Sequence, residues 1–295
     1  MICINLNRLI TMIRLVWISF GLCTLPIICY GKNNEGSINE ETINENTSSD
    51  ETINLYLPIP EEKFTKISDE FNSLLKDNGL STVQLAFSNH WHSYQNGLKD
   101  GRKGIYFTAP HFASWAIHRK NFQPLLKLDS VLSYSIVTYR YKSEFFEIND
   151  LADKIICTKN PLSLDYLLIN TAFENKPSSA KIGNVDSPIK HMLSSKSKCD
   201  AFVINEHLVE KIEYRYPNKY IRLFQGDSYN NYVFISHPEI EQDLNNRVVD
   251  LLGQNKTLSI LSSLFRSYSN NPNLVEASSS DYPEHYHQIL EKYWD

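Results

Sequence analysis

The sequence predicts an α/β chain in two lobes, with mostly parallel sheets and two long strands crossing between them. Three observations carry that expectation. From Ile53 onward, short apolar runs alternate with helical patterns at close intervals, which indicates βα units. Val131–Tyr141 is then a long run dense in Val, Ile, Tyr and Ser, suited to a strand that leaves one sheet and enters another. The βα rhythm restarts after it, and a second long β-rich run, Tyr229–Ser236, is placed to carry the chain back. The implied division is 53–138 for the first part of lobe 1, 139–227 for lobe 2, and 228–295 for the return to lobe 1.

Residues 1–31 read as a secretory signal peptide. Arg8 and Arg14 precede the apolar run Leu15–Ile28, which is short for a bilayer span. Cys29-Tyr30-Gly31 then offers small residues at the two positions a signal peptidase reads. A membrane-tethered form is the alternative. Residues 32–52 are rich in Asn, Glu and Ser with no aromatic residue, and read as a flexible linker. Ile53–Leu57 is the first strand, and Phe64, Ile67, Phe71, Leu74 and Leu75 mark an amphipathic helix that ends at Asn78-Gly79. Val83–Phe87 is a second strand, followed by His90-Trp91-His92 and a helix over Tyr94–Lys99. Ile105–Thr108 is a third, leading through Ala109-Pro110 into a helix that includes Trp115 and Ile117.

In the second lobe, Ile155–Cys157 is a buried strand, and Lys181–Val185 and Ala201–Asn205 are two more. Leu164, Leu167, Leu168 and Ala172 recur at helical spacing after Pro161, with Asn160 or Ser163 able to cap the helix. Further helices are read over Ile189–Leu193, Ile240–Leu252, Leu258–Phe265 and His285–Trp294. A strand feeding a helix start leaves unpaired N–H groups and a positive dipole end facing outward. The stretch Thr158–Ser163 is therefore a ready anion cradle, or else a plain strand-to-helix connection. Two such lobes enclose a cleft, and ligands of these sheets bind beyond the carboxyl ends of the strands. The residues there are Pro58–Pro60, His90–His92, Thr108–His111, Thr158–Ser163, Asp186–Ser187 and Asn205–His207.

Composition narrows the function classes. The chain is 42% hydrophobic and 21% charged, as a globular protein is, and its net charge of −5 speaks against a nucleic-acid partner. Of five cysteines, only Cys157 and Cys199 lie beyond the signal. With Cys157 near one parallel strand's end and Cys199 near another's start, the two fall at opposite edges of a sheet. Bridging needs Cα atoms within about 7 Å, so two separate thiols are expected. His90 and His92 could chelate a metal but lack further ligands at metal-site spacing, and no metal is expected. No Gly-x-Ser-x-Gly elbow, paired-carboxylate motif, P-loop or Gly-rich dinucleotide turn is present.

The order of features resembles the periplasmic solute-binding proteins of phosphate/phosphonate-type ABC transporters, a branch of the type II periplasmic binding proteins. The resemblance runs from about Ile53 to Leu264. Trp91-His-Ser-Tyr-Gln-Asn-Gly-Leu98 matches the aromatic residue and helix of that family's second βα unit, and Ile105-Tyr-Phe-Thr-Ala-Pro110 its apolar strand ending near a Pro. Phe145–Cys157 matches its "domain, leucine, then strand" segment, Asn160-Pro-Leu-Ser163 the Asp-Pro-x-Ser that opens its anion-binding helix, and Cys199–Asn205 its Asp-Ala strand.

The resemblance implies a non-enzymatic protein without a cofactor. It would be a periplasmic monomer that closes two lobes over a phosphonate, phosphate or related oxyanion and hands it to a permease in the inner membrane. Trp91 would be the aromatic wall and Ser163 a donor to the anion. Ser187 falls where many members carry a ligand-binding His, and Asn205 would line the second lobe's edge. With the other residues at strand ends and the helix start, the candidate ligand-binding set is Trp91, Thr108, His111, Asn160, Ser163, Leu164, Asp165, Ser187 and Asn205. Three departures bear on the ligand: Leu164 and Asp165 replace the usual hydroxyls, Ser187 replaces His, and His111-Phe112 replaces a small residue and Tyr. A carboxylate in that first turn repels phosphate, which leaves cationic, zwitterionic and apolar ligands open. Other roles considered are a periplasmic sensor or adaptor that uses the same cleft to signal to a partner, and a hydrolase.

Overall fold

A computed structural model of the chain describes residues 51–59, 61–87, 91–141, 144–159, 163–173, 180–194 and 197–294. The signal peptide, most of the linker and the candidate Asn160 lie outside these residues.

Lobe 1 is built on a six-stranded sheet. Its first half comprises β1 (Ile53–Tyr56), α1 (Glu61–Asp77), β2 (Val83–Ala86), α2 (Trp91–Lys99), β3 (Ile105–Thr108), α3 (Pro110–Lys120) and β4 (Gln123–Leu128). The helix α1 buries Phe71, Leu74 and Leu75 on its apolar face and ends at Gly79, whose φ of 70° is the left-handed conformation that glycine adopts without steric cost. The strand β3 is buried on both faces, as its unbroken apolar sequence requires of a central strand. After a short segment β5 (Val131–Leu132), the chain enters lobe 2 as β6 (Tyr134–Tyr139).

Lobe 2 continues with β7 (Ile155–Thr158), α4 (Leu164–Ala172), β8 (Lys181–Asn184), α5 (Pro188–Met192), β9 (Ala201–Asn205), α6 (Glu206–Arg215) and β10 (Tyr220–Gln225). The return runs through β11 (Tyr229–Asn230), which pairs with β5, into β12 (Val233–Ser236), α7 (Gln242–Leu252), α8 (Asn255–Phe265), β13 (Leu274–Glu276) and α9 (Gln288–Trp294).

The strand orders are β13-β4-β12-β3-β1-β2 and β10-β6-β9-β7-β8, with β5 and β11 forming a two-stranded hinge between them. Both sheets are α/β as expected, but parallel pairing is confined to β3-β1-β2 and β9-β7-β8. The other strands pair antiparallel, because each crossing segment returns against its neighbour. The crossing also comes earlier than residue 138. Tyr134 through Thr138 already pair with β9, so the boundary sits at the β5–β6 junction.

The cysteines correct a second expectation: Cys157 and Cys199 form a disulfide, with Cα atoms 5.8 Å apart. A straight extension of β9 would leave them about three residues, or roughly 10 Å, out of register. The chain bends out of that line at Asp200. Its N–H donates to Ile155 O at 2.8 Å and its carboxylate accepts from Ile155 N at 3.0 Å, which pins the strand's entrance to the start of β7. The preceding residue, Cys199, then folds back over Cys157.

The segment after α8 straps across lobe 1. The strand β13 extends the sheet at β4, and Trp294 packs on Phe112 and Trp115 of α3, with ring centroids 5.1 and 4.9 Å away. Ser114 Oγ donates to Pro283 O at 2.7 Å and lies 2.8 Å from His287 Nδ1, so the imidazole nitrogen is the donor in that pair. His287 Nε2 faces Glu291 at 3.4 Å. This Ser-His-Glu alignment is not a nucleophile and its base. Ser114 and His287 are fully buried, and the serine proton is committed to a carbonyl.

Candidate functional site

The cleft is made where the carboxyl ends of β3, β7 and β9 meet the hinge. The helix α4 spans it. Leu164 and Leu167 belong to the apolar cluster of lobe 1, while Leu168 and Ile169 belong to that of lobe 2. A cavity of about 20 Å³ remains between α4 and the hinge, lined by Tyr134, Leu164, Leu167, Leu168, Thr171, Asp227 and Tyr229, with room for about one water.

The hinge is held by Asn231, which is fully buried. Its Nδ2 donates to Ser130 Oγ at 2.8 Å and to Tyr268 O at 3.1 Å, and its Oδ1 accepts from Tyr232 N at 2.7 Å. Tyr282 Oη donates to Asn231 O at 2.9 Å, so the C-terminal strap is tied to the hinge as well. This arrangement sets Tyr232 face to face with Tyr268, centroids 3.8 Å apart. With Tyr134 they form a phenolic wall around α4's first turn.

Asp165 occupies that turn. It is 3% exposed, and its Oδ2 accepts both from Thr158 Oγ1 at 2.9 Å and from Lys159 N at 3.1 Å. The backbone N–H that opens the expected anion cradle is thus already bonded to a carboxylate of the protein. Burial, together with the Asp165 charge, raises the pKa values of Tyr134, Tyr232 and Tyr268, the last to about 12. The three phenols remain protonated donors at neutral pH.

Of the other candidates, Thr108 is buried at the end of β3 and Asn205 at the end of β9, where it caps α6 by accepting from His207 N at 3.2 Å. Thr108 Oγ1 approaches the Tyr94 hydroxyl and Asn205 Nδ2 approaches that of Tyr134, yet neither atom makes a well-formed hydrogen bond. His111 is fully buried in α3's first turn, its ring 4.1 Å from that of Phe112. Ser163 is the N-cap residue of α4. Ser187 caps α5 beyond the edge strand β8, accepting from Lys190 N at 3.4 Å. No described contact joins it to the tyrosine wall. Trp91 opens α2. Thr108, Leu164, Asp165 and Asn205 are thus drawn together with His207, which the strand-end reading includes, and Tyr134, Tyr232 and Tyr268 join them unannounced by the sequence. Their periodicity marks the three tyrosines as ordinary strand or helix-end residues, and they come from segments far apart in the chain.

His207 carries the cleft's outer edge. Its Nδ1 contacts Asn205 Oδ1, and the backbone of Arg266, from lobe 1, lies against the ring. Burial and the nearby charges of Lys211 and Lys159 lower its pKa to about 4.

No protein-family model matches the chain, and no curated protein matches it by sequence. Solved structures do match. XAC2383 from Xanthomonas citri bound to ATP superposes with a TM-score of 0.64 at 12% identity, over 82% of this chain and 97% of that one. PhnD1 from Prochlorococcus marinus in complex with methylphosphonate gives 0.62 at 13% identity, over 82% and 98%. The fold is that of the periplasmic binding proteins. A binding-protein component of an ABC phosphonate transporter from Pseudomonas aeruginosa, PA3383, has it too, with a TM-score of 0.58 at 11% identity over 79% and 83%. In this fold β5 and β11 form the small two-stranded sheet through which the chain passes between the two larger ones. No helix among those residues is long and apolar enough to cross a membrane.

Proposed function

We propose that the chain is a periplasmic solute-binding protein of an ABC transporter. It closes by hinge motion around a small ligand and presents the closed form to a membrane permease. The observation that carries this reading is three buried polar atoms without a hydrogen-bond partner at the carboxyl ends of β3 and β9, Thr108 Oγ1 from lobe 1 and Asn205 Nδ2 and His207 Nε2 from lobe 2. Buried polar atoms without partners are costly unless something else supplies them. A ligand that touches both lobes would satisfy them only in the closed state, which makes closure a consequence of differential affinity. We take the role to be non-enzymatic, in keeping with the transport binding proteins among the structures that share the fold.

For the ligand, the resemblance and the phosphonate-related neighbours favour a phosphonate- or phosphate-like oxyanion. Lys159 and Lys211, both exposed beside His207, would attract one. Asp165 sets the condition, because an oxyanion reaching Lys159 N must displace or neutralise its carboxylate. Titration calorimetry with methylphosphonate and inorganic phosphate tests the reading. Ser163→Ala and Trp91→Ala are each expected to weaken binding at least tenfold without unfolding the protein. Unchanged affinity in both would remove these residues from the site.

A further inference from the structure

Asp165 is the one buried carboxylate among the described residues, and no described cation pairs with it. Its two hydrogen bonds, from Thr158 Oγ1 and Lys159 N, both fall on Oδ2, which leaves Oδ1 without a described donor. The residue is 3% exposed and lies beside Leu164 and Leu167, which pack into the same apolar cluster as Tyr232, with Tyr134 and Tyr268 set against it. Burying a carboxylate in apolar and aromatic surroundings is unfavourable without a counter-charge. A positive group between phenolic rings gains further from their quadrupoles. Capping alone does not require a carboxylate, since the carbonyl of an amide would accept the same two bonds.

We infer that the cleft selects a ligand bearing an organic ammonium group, seated on Asp165 Oδ1 against Tyr134, Tyr232 and Tyr268. This rests on the solute-binding reading and names the chemistry of that site. The ammonium neutralises the carboxylate when the lobes shut, and any anionic end of the same molecule is directed to the lysine-flanked edge at His207.

The test is calorimetric titration of the purified protein with choline, phosphocholine, methylphosphonate and 3,3-dimethyl-1-butanol, the neutral isostere of choline. Choline and phosphocholine are expected to bind, and the isostere at least tenfold more weakly than choline. Asp165→Asn, which keeps acceptors for Thr158 and Lys159, is expected to lose at least tenfold in choline affinity with an unchanged unfolding midpoint. The wild-type comparison of choline with its isostere stands even if that variant does not fold. Equal affinity for the two overturns the inference, as does methylphosphonate bound equally by wild type and Asp165→Asn. In that second case the solute-binding reading survives. Silence of all four probes overturns the ammonium assignment and the phosphonate reading together.

Discussion

Lobe 1 buries one continuous apolar cluster that reaches from Ile53 to Trp294, whereas lobe 2 divides its core into two thinner layers on opposite faces of its sheet. The division follows from strand periodicity: Ile136, Ile156 and Val203 point to one layer, and Val137, Cys157 and Phe202 to the other. A small core supplies little surplus over chain entropy, and a covalent cross-link is the usual supplement. Lobe 2 has one, tying β7 to the entrance of β9. Lobe 1 has instead a C-terminal strap that covers α3 and grips the hinge. The lobes therefore differ in what holds them closed to unfolding, and each device can be removed separately.

Removing the disulfide should have the largest effect. Cys157 and Cys199 are 42 residues apart, and closing a loop of that size is worth about 4 kcal/mol in the chain-entropy account. The Cys157→Ala/Cys199→Ala variant, scanned by calorimetry, is expected to show lobe 2 melting ahead of lobe 1. A single unshifted transition would mean that the bridge adds nothing to this lobe.

Trp294→Ala comes next. The side chain is 6% exposed and sits between Phe112 and Trp115, so its loss should cost about 3 kcal/mol. The effect is expected in lobe 1 and at the hinge, through Tyr282 and Asn231, and hydrogen exchange would register it there first. Equal exchange in both lobes would dissolve the distinction between them.

What could be read in advance follows the same division. The βα units were legible because strands such as Ile105–Thr108 and Ala201–Asn205 are short, apolar and punctuated by helix starts. The strands β4, β10 and β13 were not. The first contains Pro124, and the other two are only half-buried, so neither an apolar run nor a clean alternation marks them. The cysteine pairing differs from the expectation because a straight strand would hold the two sulfurs apart, while the chain bends at Asp200, which no local pattern encodes. At the cleft, Asp165 was legible as a carboxylate that disfavours phosphate. Its contacts with Thr158 and Lys159 N became visible only with the loop's geometry. The tyrosine wall is a product of the hinge, which joins residues 134, 232 and 268 by topology rather than by spacing.

The smallest expected effect is that of pH, and it probes the contact between lobes. His207 has its pKa lowered to about 4, first by burial and then by Lys211 and Lys159, while the Arg266 backbone contact acts in the opposite sense. An unfolded histidine titrates near 6.5. Between those values the unfolded chain binds a proton that the folded one does not, so stability rises with pH through this window and falls on acidification. Below about 4 both states are protonated and the loss is complete. His287, also lowered by burial, contributes with the same sign from the strap. Moving from pH 7.5 to 5 should therefore reduce the melting temperature, and His207→Gln should recover part of that loss, on the order of 3 °C. Because Arg266 belongs to lobe 1, His207→Gln should also flatten the pH dependence of closure, which small-angle scattering at the two pH values can read. Recovery in melting temperature without a change in scattering would make His207 a stabiliser of lobe 2 alone, and the closing contact would then have to be sought at Leu164 and Leu167.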